Sequence, residues 1–317
     1  MTASSRNLLC SGAARKFMAA APSPPVDDIV PSDVPALRRE TLEAFQPRID
    51  RALERFGPSV EDVVHGGVRC LEILPRESRG PGTILYFFGG GYIIGSPEED
   101  LIVSAALASL CGVRVVSPAY RLAPEHPCPA AIDDGMAVHA ALARDPRTGP
   151  LAIAGESAGG NAALSVLRRL RRDGQAMPVA AALLSPWCDL THAGDSHRTN
   201  DGRDPTLAMA LARQAARLYC GGLEPEDPDV SPLWSDWDDT FPPAIITTGT
   251  RDLLMSQCVQ LAQVLRGVGA PVELRIWDDL WHVFEFYDEL PEAERSLGEI
   301  AAFLSCHFED ARIRSPS

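Results

Sequence analysis

The sequence predicts an α/β fold: a mostly parallel, doubly wound sheet of about eight strands carrying a helical cap. Three observations predict it. From residue 67 onward, short apolar runs alternate with helical stretches, the pattern of strands buried on both faces beneath crossover helices. A Gly-rich turn, Gly155 to Gly160, directly follows one such run and opens a helical stretch. The region 195–233, a helical stretch followed by a strandless Gly/Pro-rich one, then breaks the rhythm, as an insertion forming a lid would.

The elements follow in order. Residues 31–56 place Leu, Ala, Phe and Ile at helical spacing among Arg and Glu, and read as amphipathic helix outside the sheet. Strands are expected at residues 67–74, 83–88, 113–118, 151–155, 179–185, 244–249 and 272–277, each short and apolar. Helices are expected at 101–111, 129–144, 158–172, 206–219 and 256–266, the second opening on Pro129 and the third ending before Gly174. The chain therefore divides into N-terminal cap helices (1–60), a first core segment (61–194), a cap insertion (195–233) and a second core segment (234–317).

Composition narrows the function. With 45% hydrophobic and 23% charged residues the chain can bury a sizeable core. Its 43 Asp and Glu against 29 Lys and Arg give a net charge of −14, which repels nucleic acid and anionic lipid surfaces. The eight cysteines include no C-x-x-C pair, so no metal site and no compact disulfide framework is signalled. Reduced thiols in a cytoplasmic protein fit that usage. No apolar run approaches the roughly 18 residues that span a bilayer, and Arg15 and Lys16 interrupt the apolar start where a secretory leader needs an unbroken stretch.

The chemistry is concentrated in one motif, GESAGG (Gly155 to Gly160), a G-x-S-x-G between strand and helix. Such a turn lifts Ser157 clear of the sheet above a helix N-terminus. A serine hydroxyl attacks a carbonyl only when a base takes its proton, and this architecture supplies acid and base downstream in that order. Asp252 follows the strand at 244–249 and His282 follows the strand at 272–277. Asp278 and Asp279 compete for the acid's place but lie on the histidine's own loop. In FFGGGYIIGS (Phe87 to Ser96), three glycines let backbone N–H groups face a developing oxyanion.

These blocks, with AYRLAPEHPCPAAIDD (Ala119 to Asp134) and SPWCDL (Ser185 to Leu190), resemble the hormone-sensitive-lipase-like (bacterial family IV) carboxylesterases of the α/β-hydrolase fold. The resemblance implies ester hydrolysis without a cofactor or metal, with Ser157 as nucleophile, Asp252 as acid, His282 as base, and the N–H groups of Gly90, Gly91 and Ala158 as oxyanion hole. It also implies a helical cap, and many relatives form homodimers. Where the family writes His-Gly-Gly-Gly, this chain has Phe88 before Gly89, Gly90 and Gly91; Glu156 stands for the usual Asp, and Leu253 for the Pro that commonly follows the acid.

The expected substrate is a small soluble ester of short to medium acyl chain, held in a pocket lined by Phe88, Gly89, Tyr92, Trp187, Trp281 and Phe284. Lactone opening, peptide or amide cleavage, and a ligand-binding or receptor-like role with weak catalysis are the competing functions. A histidine base of ordinary pKa near 6.5 implies activity rising through a pKa of about 6 to 7.5.

Overall fold

The computed structural model describes residues 10–21 and 29–314, the Arg314 side chain excepted. Much of the leader-like start, at residues 1–9 and 22–25, lies outside the described residues. Strands β1 (Ser59–His65), β2 (Val68–Leu74), β3 (Thr83–Phe87), β4 (Arg114–Pro118), β5 (Leu151–Glu156), β6 (Ala181–Leu184), β7 (Ala244–Gly249) and β8 (Val272–Trp277) form one sheet in the order β1-β2-β4-β3-β5-β6-β7-β8. β1 and β2 pair antiparallel, as do β2 and β4. From β4 to β8 every pairing is parallel.

The alternation of side chains along each strand sorts the core into two layers. Ile84 and Tyr86 of β3, Ala152 and Ala154 of β5 and Ile245 of β7 face α3 (Leu101–Cys111) and α8 (Pro291–Arg314). Leu85, Phe87, Ile153 and Ile246 face the opposite layer, made of α4 (Ala130–Leu142), α5 (Ala158–Arg172) and α7 (Met255–Gly267). This period of two is why these strands read as continuous apolar runs: both faces are covered. α3 is apolar almost all round because it lies between the sheet and two further helices, α8 and α2 (Val34–Phe56).

β1 was not among the expected strands. Its sequence, SVEDVVH, alternates Val with acidic residues and stands at the sheet edge with no apolar run. The signal for it lies just beyond, in Gly66-Gly67, which turn at φ of 59° and 84° to make a tight hairpin into β2. The helix expected at 206–219 begins later, as α6 (Met209–Cys220), because the residues before it are tied into the loop described below. α1 (Gly12–Ala20) precedes α2 and packs Phe17 on Trp281. Among the described residues no helix is long and apolar enough to cross a membrane.

Candidate active site

β5 is central in the sheet, and the chain leaves its carboxyl end through a sharp elbow. Ser157 sits at φ 53°, ψ −119°, a conformation costing on the order of 1–3 kcal/mol that persists only where surroundings enforce it. They do so here: Ser157 N–H donates to Leu184 (2.9 Å), while its carbonyl accepts from Trp187 (2.9 Å) and Asn161 (3.2 Å). A Cβ at Gly155 would meet the Gly159 carbonyl oxygen at 2.3 Å, so the elbow closes only on glycine there.

The loops after β7 and β8 bring their side chains to this serine. His282 Nε2 lies 2.9 Å from Ser157 Oγ, and His282 Nδ1 lies 3.0 Å from Asp252 Oδ1. Asp252 is fully buried, and it also accepts from Thr248 Oγ1 and the Leu254 N–H, each at 2.8 Å. Those two bonds aim the carboxylate at the ring. Asp278 is exposed, and Asp279 pairs with Arg251 at 2.6 Å, so neither reaches His282.

Beside the serine the β3 loop turns through Gly90 (φ 98°) and Gly91 (φ 63°). A Cβ at Gly90 would stand 2.3 Å from the Ile94 carbonyl oxygen. Neither N–H is spent on a backbone partner, and the Ala158 N–H opens α5, where a helix has no acceptor of its own. A cavity of about 350 Å³ opens over these groups. Leu37, Thr41 and Phe45 of α2 and Leu211, Ala212 and Ala215 of α6 wall it, with Ser157, Trp187 and His282 at its base.

A family model of the α/β-hydrolase fold matches residues 84–286. An acetyl-hydrolase of Streptomyces hygroscopicus is 36% identical over 273 residues, 84% of this chain and 91% of that protein. The esterase EstE5, in crystals soaked with p-nitrophenyl butyrate, has a TM-score of 0.86 at 27% identity, over 94% of this chain and 99% of that one. A hormone-sensitive lipase from a metagenome library has a TM-score of 0.77 at 32% identity, over 89% of this chain and 99% of that one. The chain belongs to the α/β-hydrolase fold, in its hormone-sensitive-lipase branch of esterases.

In this α/β-hydrolase the expected pocket residues divide. Gly89 and Trp187 line the cavity. Phe88, Tyr92, Trp281 and Phe284 do not, and each is buried elsewhere. Phe88 stacks on Tyr120 (4.1 Å, 9° between planes), whose hydroxyl donates to the Phe88 carbonyl at 2.6 Å. Tyr92 stacks on Tyr219 (3.7 Å, 2°) and donates to Asn161 Oδ1 at 2.8 Å, while Asn161 Nδ2 holds the Trp187 and Val230 carbonyls. Trp281 stacks on Phe17 at 4.6 Å and Phe284 leans on Trp277 at 5.5 Å. The family histidine's place is thus filled by an aromatic stack that secures the same loop.

Two features of the site were not among the expected residues. One is Asp204, buried beside the His282 and Asp252 loops. The other is charge: Glu99, Asp100 and Glu156 line the cavity with no Lys or Arg among the lining residues. Burial raises the carboxyls of Glu99 and Glu156 to about 7, for Glu99 with help from Glu156 and Glu98, and for Glu156 against the opposing pull of His282 and the Gly89 N–H. Burial also opposes ionisation of Asp252, but the facing His282 holds that carboxyl below its ordinary value. For His282 burial acts downward, yet Asp252, with Asp204 and Glu156 behind it, raises the ring to about 9.

Glu99 generates a stability prediction. An acid whose folded pKa lies above its unfolded value contributes stability below about pH 4.5 that is lost as pH rises through about 7. Glu99→Gln mimics the protonated form, so it is expected to raise Tm at pH 8 by on the order of 2 °C or more, and by little at pH 5. Differential scanning calorimetry at the two pH values measures this; an equal shift at both refutes the assignment.

Proposed function

We propose that the protein hydrolyses small, neutral carboxylic esters of short to medium acyl chain through an acyl-enzyme on Ser157. The reading is carried by the continuous relay from Asp252 through His282 to Ser157 Oγ, at 3.0 and 2.9 Å, beside the free N–H groups of the glycine loop. As Ser157 Oγ bonds to the ester carbon, its proton passes to His282 Nε2 and Asp252 stabilises the imidazolium. The carbonyl oxygen takes up negative charge facing the N–H groups of Gly90, Gly91 and Ala158. Collapse expels the alcohol, which leaves with the His282 proton. Water then attacks the acyl carbon, gives its proton to Nε2, and the carboxylic acid departs with Ser157 restored.

The residues that act are side chains and backbone amides alone, so no metal or cofactor enters the scheme. Seven of the eight cysteines are buried and all are unpaired, which supports a cytoplasmic location. The cavity stands at the small end of ligand pockets, roughly 300–1,000 Å³, and α2 and α6 line it mainly with apolar side chains, Leu37, Phe45, Leu211, Ala212 and Ala215.

Ser157→Ala is expected to lower kcat by at least about a thousandfold and abolish fluorophosphonate labelling with the fold intact; turnover near wild type refutes the nucleophile. Asp252→Asn is expected to cost more than Asp278→Asn, and the reverse order refutes the acid.

The raised His282 pKa revises the pH expectation upward from the ordinary histidine range. kcat/KM for a neutral ester is expected to rise with pH through an apparent pKa above about 7.5. Asp252→Asn moves the limb toward acid, because the charge favouring the imidazolium is gone. A wild-type limb centred at or below 6.5 contradicts the proposal.

A soluble butyrate ester is expected to turn over faster than emulsified long-chain triglyceride, and faster than a matched ester whose acyl part ends in a carboxylate. Equal rates for the neutral and anionic esters at pH 8 would show that Glu99 and Glu156 do not govern entry.

A further inference from the structure

Three buried side chains spaced four residues apart in the insertion grip the loop that carries Asp252. Ser196 Oγ donates to the Leu253 carbonyl at 2.8 Å. Asn200 Nδ2 donates to the carbonyls of Asp252 (2.8 Å) and Thr250 (3.1 Å). Asp204 Oδ2 accepts from the N–H groups of Leu253 (3.3 Å) and His282 (3.1 Å). Each of the three is at most 2% exposed. Asp204 alone of them binds both the acid's loop and the base's loop.

Its other oxygen accepts from Thr206 N–H (2.9 Å), Thr206 Oγ1 (2.9 Å) and Leu207 N–H (3.1 Å), and Thr206 and Leu207 line the cavity. A buried carboxylate costs several kcal/mol unless donors surround it, and mere packing of a cap onto a core needs no charge. Five donors converge here, from the pocket wall on one side and the two triad loops on the other.

We propose that Asp204 is a positioning residue: it fixes the His282 loop against the Asp252 loop and locks both to the pocket wall, so that the imidazole stands at bonding distance from Ser157 when the cap is seated. This rests on the triad reading above. Three acidic groups favour the charged ring: Asp252, bonded to it from the β7 loop, and the more distant charges of Asp204 in the insertion and Glu156 at the elbow. Removing the Asp204 charge therefore acts on the ring's titration as well as its position, and because burial and the Asp252 charge raise the Asp204 carboxyl itself, the titration effect belongs to the pH range in which it is ionised.

The test is Asp204→Asn in the full chain, with kcat and KM for a soluble neutral butyrate ester measured from pH 5 to 10 and active sites counted by fluorophosphonate labelling. Expected are a kcat at least about tenfold lower, KM within about threefold of wild type, and a kcat/KM limb moved toward acid. Asn200→Ala cuts only the neighbouring tie to the acid's loop and removes no charge, and is expected to lower kcat less, with the limb unmoved. An unmoved limb in Asp204→Asn overturns the proposal whatever the fall in kcat. If the melting curve shows that Asp204→Asn does not fold, Asp204→Glu decides, since it keeps the charge and lengthens the arm by one methylene: wild-type kcat overturns the proposal, and a lowered kcat at unchanged KM supports it. Hydrolysis that survives Ser157→Ala in the parent chain would instead defeat the triad reading on which the proposal stands.

Discussion

A contact with no room for a methyl group underlies the site. A Cβ at Gly159 would stand 2.0 Å from the carbonyl oxygen of Phe87 and 2.4 Å from that of Phe88. The first turn of α5 is therefore pressed onto the end of β3, and the serine elbow and the glycine loop become one rigid unit. Everything the proposed chemistry needs in fixed relation, the Ser157 hydroxyl and the amides facing it, is set by that approach. Tyr92 and Asn161 extend the unit outward, because one hydrogen bond joins the glycine loop to α5 and two more join α5 to the Trp187 and Val230 carbonyls.

The electrostatics follow from where the fold puts its acids. An unpaired carboxylate at such depth would be expelled from the ionised state, and Glu99 and Glu156 are moved that way. Asp252 escapes because it faces the one group in the site able to become a cation. The same negative surroundings that make the histidine a stronger base disfavour a negatively charged substrate. In the proposed reading, basicity and selectivity for uncharged esters are two consequences of one charge distribution.

The sheet and the relay were legible in the sequence because their signals are local or ordered along the chain. A strand buried on both faces must be an apolar run, a strand-to-helix turn with a serine at its tip must carry glycines, and an acid and a histidine after two later strands must emerge at one sheet edge. What failed to show is what depends on side-chain direction or on contacts across the fold. Phe88, Trp281 and Phe284 adjoin site residues in sequence, but Trp281 turns toward Phe17 while its neighbour His282 turns toward Ser157. Asp204 has no motif, and its meaning lies in two amides some 50 and 78 residues further on. β1 lacks an apolar run because it is an edge strand, and only Gly66-Gly67 betrays it.

The replacement of the family histidine by Phe88 fits the same logic. A histidine ahead of the glycines would secure the loop through a group that can itself titrate. Here the loop is secured by two stacked rings and by the Tyr120 hydroxyl on the Phe88 carbonyl, and burial pushes that tyrosine well above its ordinary pKa. Nothing in the clamp changes charge across the range in which an ester hydrolase works. The glycine loop keeps one titratable tie, its Gly89 N–H on the Glu156 carboxyl that burial raises to about 7, so the response of the site to acid falls to Glu156 and His282 together.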